Sequence, residues 1–133
     1  MKSVKKLISH IHADVQKNLP EILDKRGLKS FEKYSVGNSV EKQELALYVK
    51  IAEFTRRGET VTFLIQAQLP ADEIEMNEYI DAINEYLDDF FAPEKIGYLD
   101  FEYSMIIKDN ERASVIDVFW EVTLTSALDD CDM

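Results

Sequence analysis

The sequence has little glycine and proline and a single cysteine, and each scarcity excludes a class of protein. Four glycines and three prolines among 133 residues, with 46% hydrophobic and 11% aromatic residues, are not typical of a disordered segment. The lone Cys131 excludes an intrachain disulfide and fits a reducing compartment, and its acidic neighbours disfavour a reactive thiolate. We therefore expect a single domain over residues 1–133, with a flexible acidic tail over about residues 126–133.

Long apolar runs are also missing. No stretch approaches the ~20 apolar residues that cross a bilayer. The basic N-terminus is followed by His10, His12 and Asp14 instead of the continuous apolar region of a signal peptide. We expect a cytoplasmic protein that makes no membrane contact.

Positive charge is scarce in the second half of the chain, and the net charge at pH 7 is −11. Residues 1–33 carry eight Lys and Arg against four Asp and Glu, whereas residues 70–133 carry three against eighteen. Nucleic-acid binding requires concentrated positive charge, so the acidic half argues against it. The asymmetry indicates either simple solubility or a bipolar subunit whose basic end, with Lys5 and Lys6, contacts the acidic face of a neighbour.

Two amphipathic helices are predicted. Apolar residues at helical spacing from Val4 to Leu19 predict a helix over about residues 3–18. Pro20 is expected to open a separate short helical piece, which Gly27 caps. A second helix is expected from Asp72, its N-cap, to a stop at Pro93. Its buried stripe is predicted to comprise Met76, Ile80, Ile83, Leu87, Phe90 and Phe91, with Tyr79 and Tyr86 beside the stripe.

Alternation of apolar and polar residues predicts the strands. A short strand is expected at Phe31–Val36, and longer ones over about 43–55, 60–69, 99–107 and 116–124. Because the core residues of the second and third strands all have odd numbers, we expect an odd-length loop between them, with Gly58 at positive φ. The order α, short α, β, β, β, α, β, β predicts an α+β fold, in which two main helices pack on a mainly antiparallel sheet of four to five strands.

The last hairpin contains the strongest candidates for chemistry. Closure through residues 109–112 places Asp100 opposite Glu121. The same register places Glu102 opposite Phe119, and Asp117 shares their face. Four carboxylates could hold a divalent ion or share acid–base work, but charge is expected on the exposed face of an antiparallel strand. We interpret them as an interaction surface rather than as a metal or catalytic site.

No other pattern indicates an enzyme. His10 and His12 are two residues apart and point to different sides of a helix, unlike a metal-binding pair. The sequence contains no glycine-rich phosphate loop, no cysteine pair at zinc spacing and no nucleophile elbow. We therefore expect no catalytic residue, no metal and no cofactor. A pocket walled by aromatic residues between the second helix and the sheet is a further alternative.

Three residues outside the carboxylate set favour contacts with protein. Arg56 and Arg57 lie at a predicted hairpin tip, where they can meet an acidic partner or form an ordinary solvated turn. Phe119 is a large aromatic residue on an otherwise charged face, which is typical of an interface contact or of a second packed layer.

The order of the elements resembles that of the tail-terminator and tail-completion proteins of long-tailed phages. The matching stretches are Val4–Leu19, Leu45–Leu69, Asp72–Phe91 and Glu111–Trp120, the last of which looks like the final strand of such proteins. The resemblance implies a structural subunit that forms a hexameric ring, caps the tail tube and contacts other tail or connector proteins. It also implies a location in the bacterial cytoplasm and then in the virion, and no catalytic residues.

A second hypothesis is an inhibitor or immunity-type protein. Small acidic domains neutralise basic nucleases by presenting carboxylates in place of phosphate. The acidic residues of 70–133 favour this alternative.

Overall fold

The computed structural model describes residues 4–37, 48–109 and 115–126, which form an α+β structure. The elements in chain order are α1 (Val4–Lys25), β1 (Lys33–Val36), β2 (Tyr48–Arg57), β3 (Thr60–Pro70), α2 (Glu73–Glu85), β4 (Asp100–Asp109) and β5 (Val115–Thr125). α2 continues as a π-helical turn, Tyr86–Phe90, and a 3-10 helix, Pro93–Ile96, precedes β4. The predicted fold class is confirmed. No helix within the described ranges is both long and apolar enough to span a membrane.

The strands form a single sheet in the order β1-β2-β3-β5-β4. The β1–β2 pair is parallel and the other pairs are antiparallel. α1 packs against β1 and β2, and α2 packs against β3 on the same side of the sheet. The helix-facing side of β3 and β5 is buried except for the half-buried Ile116 at its end. Its other residues are at most 2% exposed, and they are Val61, Phe63, Ile65, Ala67, Leu69, Val118, Trp120, Val122 and Leu124.

α1 is one continuous helix, so the prediction of a separate piece after Pro20 is wrong. A proline inside a helix costs about 3 kcal/mol, because it removes a hydrogen bond and crowds the preceding turn. The apolar stripe nevertheless continues past Pro20 through Ile22 and Leu23, both 0% exposed. Burial of these side chains therefore outweighs the local cost. The helix ends at Lys25, and Gly27, the predicted cap, follows it with φ 70°.

The predicted N-cap of α2 is confirmed, since the Asp72 carboxylate accepts a hydrogen bond from the Glu75 N–H at 3.0 Å. Tyr79 and Tyr86, expected beside the buried stripe, are themselves buried at 2% and 1% exposure. Tyr86 starts the π-helical turn, where an extra residue per turn rotates the buried face of the helix. Phe90, expected to be buried, is only half-buried for the same reason.

β2 and β3 share their apolar face by means of a bulge. Odd-numbered core residues face each other across the two strands as expected, for example Ile51 and Ile65. Gly58 has φ 58° as predicted. The turn is two residues long, however, so the predicted odd-length loop is wrong. A register shift after Ala52 supplies the missing residue and turns Phe54 onto Phe63, with ring centroids 5.2 Å apart.

The described chain continues to Ser126, which is 3% exposed and donates its backbone N–H to the Glu59 carbonyl at 3.0 Å. Part of the strand expected over 43–55, the turn at 110–114 and the tail at 127–133, with Cys131, lie outside the described residues.

Candidate interaction surfaces

The outer face of the sheet, opposite the helices, consists of transverse rows of side chains. Each row contains one residue from each of β2, β3, β5 and β4, in that order across the sheet. The first four rows are Arg57, Thr60, Thr125 and Asp100; then Thr55, Thr62, Thr123 and Glu102; then Ala52, Leu64, Glu121 and Ser104; then Lys50, Gln66, Phe119 and Ile106. The last row contains Gln68, Asp117 and Lys108 of β3, β5 and β4. Hydroxyls and carboxylates occupy the first rows, and lysines with apolar side chains occupy the last. The two ends of the outer face therefore differ in chemistry.

The predicted register of the last hairpin is wrong by four residues. Asp100 lies opposite Thr125 rather than Glu121, and Phe119 lies opposite Ile106 rather than Glu102. The last observed pair of the hairpin is Asp109 with Ile116, so more residues separate the paired ends than the four expected at 109–112. Even-numbered residues of β4 pair with odd-numbered residues of β5 as predicted, so the candidate carboxylates do share the outer face. The true register separates like charges that would repel if directly opposed.

The carboxylates of the outer face are not one cluster. Glu102 and Glu121 lie on adjacent rows towards the Asp100 end, whereas Asp117 lies at the other end and pairs with Lys108. Burial raises the pKa of Asp117, while Gln66, Lys50 and Lys108 oppose this shift. The described residues contain no group of three or more His, Cys, Asp or Glu side chains placed to hold a metal ion.

Phe119 already has a cationic neighbour within the chain. The Lys108 Nζ lies 5.2 Å from the centroid of the Phe119 ring, a cation–π distance. Phe119 is half-buried between this lysine and the exposed Ile106 on β4. That Phe119 contacts another protein stays a prediction, and such a contact would have to include Lys108 and Ile106 beside it.

Two shallow grooves lie on the Asp100 half of the outer face and share Glu121. One of about 370 Å³ is lined by Thr55, Arg57, Thr60, Thr62, Leu64 and Glu121. The other, of about 270 Å³, is lined by Glu102, Tyr103, Ser104, Glu121 and Thr123. Polar and apolar atoms line both in roughly equal measure, which differs from the predominantly apolar pockets that usually hold small ligands.

The aromatic residues considered as pocket walls are instead core residues and bridges between layers. Tyr86 donates a hydrogen bond to Asp14 on α1 at 2.5 Å, and its burial raises its pKa. Trp120 is 0% exposed and donates from Nε1 to the Asn84 side chain at 2.8 Å. Tyr86 and Trp120 are therefore core side chains rather than walls of an open pocket, and the alternative of a small-ligand pocket stays a prediction.

The predicted basic residues are exposed, at two separate places. Lys5 and Lys6 lie on the first turns of α1, and Arg56 and Arg57 end β2 beside the two-residue turn. The histidines of α1 do not converge: His10 is exposed, whereas His12 is half-buried and donates from Nε2 to the Tyr34 carbonyl at 3.1 Å.

Sequence reasoning missed an acidic surface on the helix layer. α2 and its π-helical turn carry no Lys or Arg, and their seven carboxylates are Glu73, Glu75, Glu78, Asp81, Glu85, Asp88 and Asp89. All but Glu85 are exposed, and Glu85 forms a salt bridge with Arg26 at 2.6 Å. The signal was present in the sequence, because residues 72–94 contain no Lys, Arg or His, but the acidity was assigned only to residues 70–133 as a whole.

Sequence reasoning also missed the exposed apolar edge of the sheet. Met105, Ile106 and Ile107 on β4 are 39%, 56% and 46% exposed, and β4 pairs only with β5 among the described strands. A strand with both faces apolar breaks the alternation at these three positions, which was the available signal. We name residues 105–107 the β4 apolar edge.

Comparisons with known proteins add no family to these surfaces. No protein-family model matches the chain, and a search of curated proteins finds no significant match.

Proposed function

We propose that the protein is a non-enzymatic structural subunit of a phage tail, and that it terminates or completes the tail tube by assembling into a ring. The observation that carries this proposal is the division of charge within the helix layer. Residues 4–33, which include α1, carry seven Lys and Arg against four Asp and Glu, whereas α2 with its π-helical turn carries seven carboxylates and no cation.

The two charged regions, which we name the α1 flank and the α2 flank, lie side by side in the helix layer, where the two helices pack against each other. α1 covers β1 and β2 at one side of the sheet, and α2 covers β3 towards the middle. A head-to-tail contact would bring the α1 flank of one subunit against the α2 flank of the next. Such a heterologous contact closes into a ring when the rotation between subunits permits.

The outer face is compatible with a subunit that does not grip DNA. Its exposed charged residues are Asp100, Glu102 and Glu121 against Arg57 and Lys108, whereas Asp117 is half-buried and Lys50 is buried. This mixture lacks the concentrated positive charge of a phosphate-binding surface. In a ring around a DNA channel, the end with Asp100, Glu102 and Glu121 is the part that would repel phosphate.

Oligomeric mass as a function of salt tests the ring. We expect light scattering to show an oligomer at low salt that dissociates as salt rises, because exposed charges are screened. Lys5→Glu should shift dissociation to lower salt. Lys95→Glu reverses an exposed cation beside the acidic flank, and this matched control should not. A monomer at every salt concentration would refute the ring, and capture of tail-tube proteins from an infected lysate tests the phage assignment separately.

The uninterrupted acidic surface of α2 also favours a second candidate, an inhibitor of a basic protein. The exposed side chains of Glu78 and Asp81 would then replace substrate phosphates in a nuclease. A stoichiometric basic partner in a pull-down, lost in Glu78→Lys/Asp81→Lys, supports this candidate over the ring.

A further inference from the structure

β4 is the edge strand of the sheet that the described residues form, and it has no second strand partner among them. Natural edge strands are usually short, bulged, proline-containing or charged along their length, because a free row of backbone groups can pair with another strand. β4 pairs with β5 over ten consecutive residues, Asp100–Asp109, without a register shift, and it contains no proline. In its second half the β4 apolar edge takes the place of protective charge.

The helices do not cover this part of the sheet. Met105 and Ile107 lie on the helix-facing side, opposite Trp120 and Val118 of β5. Those two β5 residues are 0% exposed, whereas Met105 and Ile107 are 39% and 46% exposed. The apolar layer of the core therefore continues to the edge of the sheet, where the described helices do not cover it.

The charges of β4 select the strand that can pair with it. Asp100 and Glu102 lie near its start and Lys108 near its end, all on the outer face and exposed. A second β4 in antiparallel orientation brings opposite charges together, whereas a parallel copy in register stacks like charges. The strand is thus complementary to itself in one orientation only.

Side-chain parity fixes the register of such a pair. The helix-facing residues of β4 have odd numbers, so residues that face each other across the pair must sum to an even number. A two-fold axis at Ser104 meets this condition and sets Asp100 opposite Lys108 of the second copy. The helix-facing pairs are then Phe101 with Ile107 and Tyr103 with Met105, all apolar or aromatic.

We propose that β4 is a homodimer interface, at which it pairs antiparallel with the β4 of a second copy about a two-fold axis at Ser104. The two sheets then form one continuous sheet, and the β4 apolar edge becomes buried. This contact goes beyond the proposed ring and uses a different surface from its charged flanks. A ring that contained such pairs would have dihedral rather than cyclic symmetry.

Substitutions at Ile106 test both the surface and the register by sedimentation equilibrium. The proposed register sets Ile106 opposite Glu102 of the second copy, twice per dimer. Ile106→Glu should therefore weaken the dimer by roughly tenfold or more through like-charge contacts, whereas Ile106→Lys should leave it intact or tighten it. Adding Glu102→Lys to Ile106→Glu should restore pairing.

A control variant and three measurements distinguish failure of the interface, of its register and of the ring. Ile74→Glu changes an exposed apolar residue of α2, 73% exposed, and should not alter the dimer. A wild-type protein that is monomeric at about 100 µM overturns the interface. Equal weakening by Ile106→Glu and Ile106→Lys overturns the register. The dimer should persist at about 1 M salt and in Lys5→Glu, conditions that dissociate the charged ring contact, so the two proposals fail separately.

Discussion

β4 and β5 are neighbouring strands whose helix-facing side chains are mostly apolar, but these side chains differ in burial. The apolar side chains of β5 that face the helices, Val118, Trp120, Val122 and Leu124, are all 0% exposed. Their partners on β4 change from half-buried at Phe101 and Tyr103 to exposed at Met105 and Ile107. The helix layer ends over β5, and β4 extends beyond it.

The difference shows that an alternating pattern identifies the apolar face of a strand but not what covers that face. On β5 the cover comes from the same chain. On the second half of β4 the described residues supply none, and we propose that a second copy of the chain supplies it. Changes in β5 should therefore affect folding, and changes in β4 should affect association.

The largest expected effect is on the stability of the core. Trp120→Ala removes a 0% exposed indole and its hydrogen bond to Asn84, and should lower the free energy of unfolding by about 3–5 kcal/mol. Met105→Ala, the cross-strand partner, should cost less than about 1 kcal/mol in the monomer. Urea unfolding at low protein concentration measures both, and equal costs would contradict the contrast between the strands.

A smaller contrast concerns the two tyrosines that bind carboxylates. Tyr86→Phe leaves Asp14 without its buried partner and should cost about 1–3 kcal/mol. Tyr103→Phe removes an exposed hydrogen bond from β4 to Asp88, and should cost under about 1 kcal/mol. Thermal unfolding of the two variants ranks them, and the reverse order would refute the proposed role of Tyr86 in joining the helices.

The sequence identified faces and caps but could not fix the hairpin register. Parity correctly predicted that Asp100 and Asp117 share the outer face, because side chains alternate strictly along a strand. Turn length decides which residues of the two strands are opposite, and several lengths preserve the same parity. The bulge after Ala52 was not predicted for a similar reason, since a bulge and an odd-length loop both bring odd-numbered apolar residues of the two strands onto one face.

The candidate surfaces were predicted only in part. The exposure of Lys5, Arg57 and Glu102 follows from their charge. The exposure of Met105 and Ile107 depends on where the helices end over the sheet, which no local pattern encodes. At Pro20 the local pattern also misled, because it predicted a break where the helix continues. Burial of Ile22 in the core outweighs the helix-breaking effect of the proline.

A pH measurement sharpens the comparison at the β4–β5 pair of Lys108 and Asp117. Because burial raises the pKa of Asp117, the folded chain binds a proton that the unfolded chain has already lost. Stability contributed by this group therefore falls as pH rises from the unfolded pKa through the folded one. Asp117→Asn should gain a few tenths of a kcal/mol at neutral pH, discounted for partial exposure. A variant that loses stability at pH 7 would contradict this.

The smallest expected effects are at exposed apolar positions of the isolated monomer. Ile106→Ser on β4 and Ile74→Ser on α2 should each change the free energy of unfolding by less than about 0.5 kcal/mol. Only Ile106→Ser should alter association at higher protein concentration. A large loss of monomer stability in Ile106→Ser would mean that the β4 apolar edge serves folding instead.

The central claim is that this protein acts through surfaces that join it to other copies. The most direct test is its molar mass in solution, measured by sedimentation equilibrium over a range of protein and salt concentrations. The account predicts masses above that of one chain, with a salt-sensitive oligomer and a salt-resistant pair. A single chain's mass under every condition would contradict it.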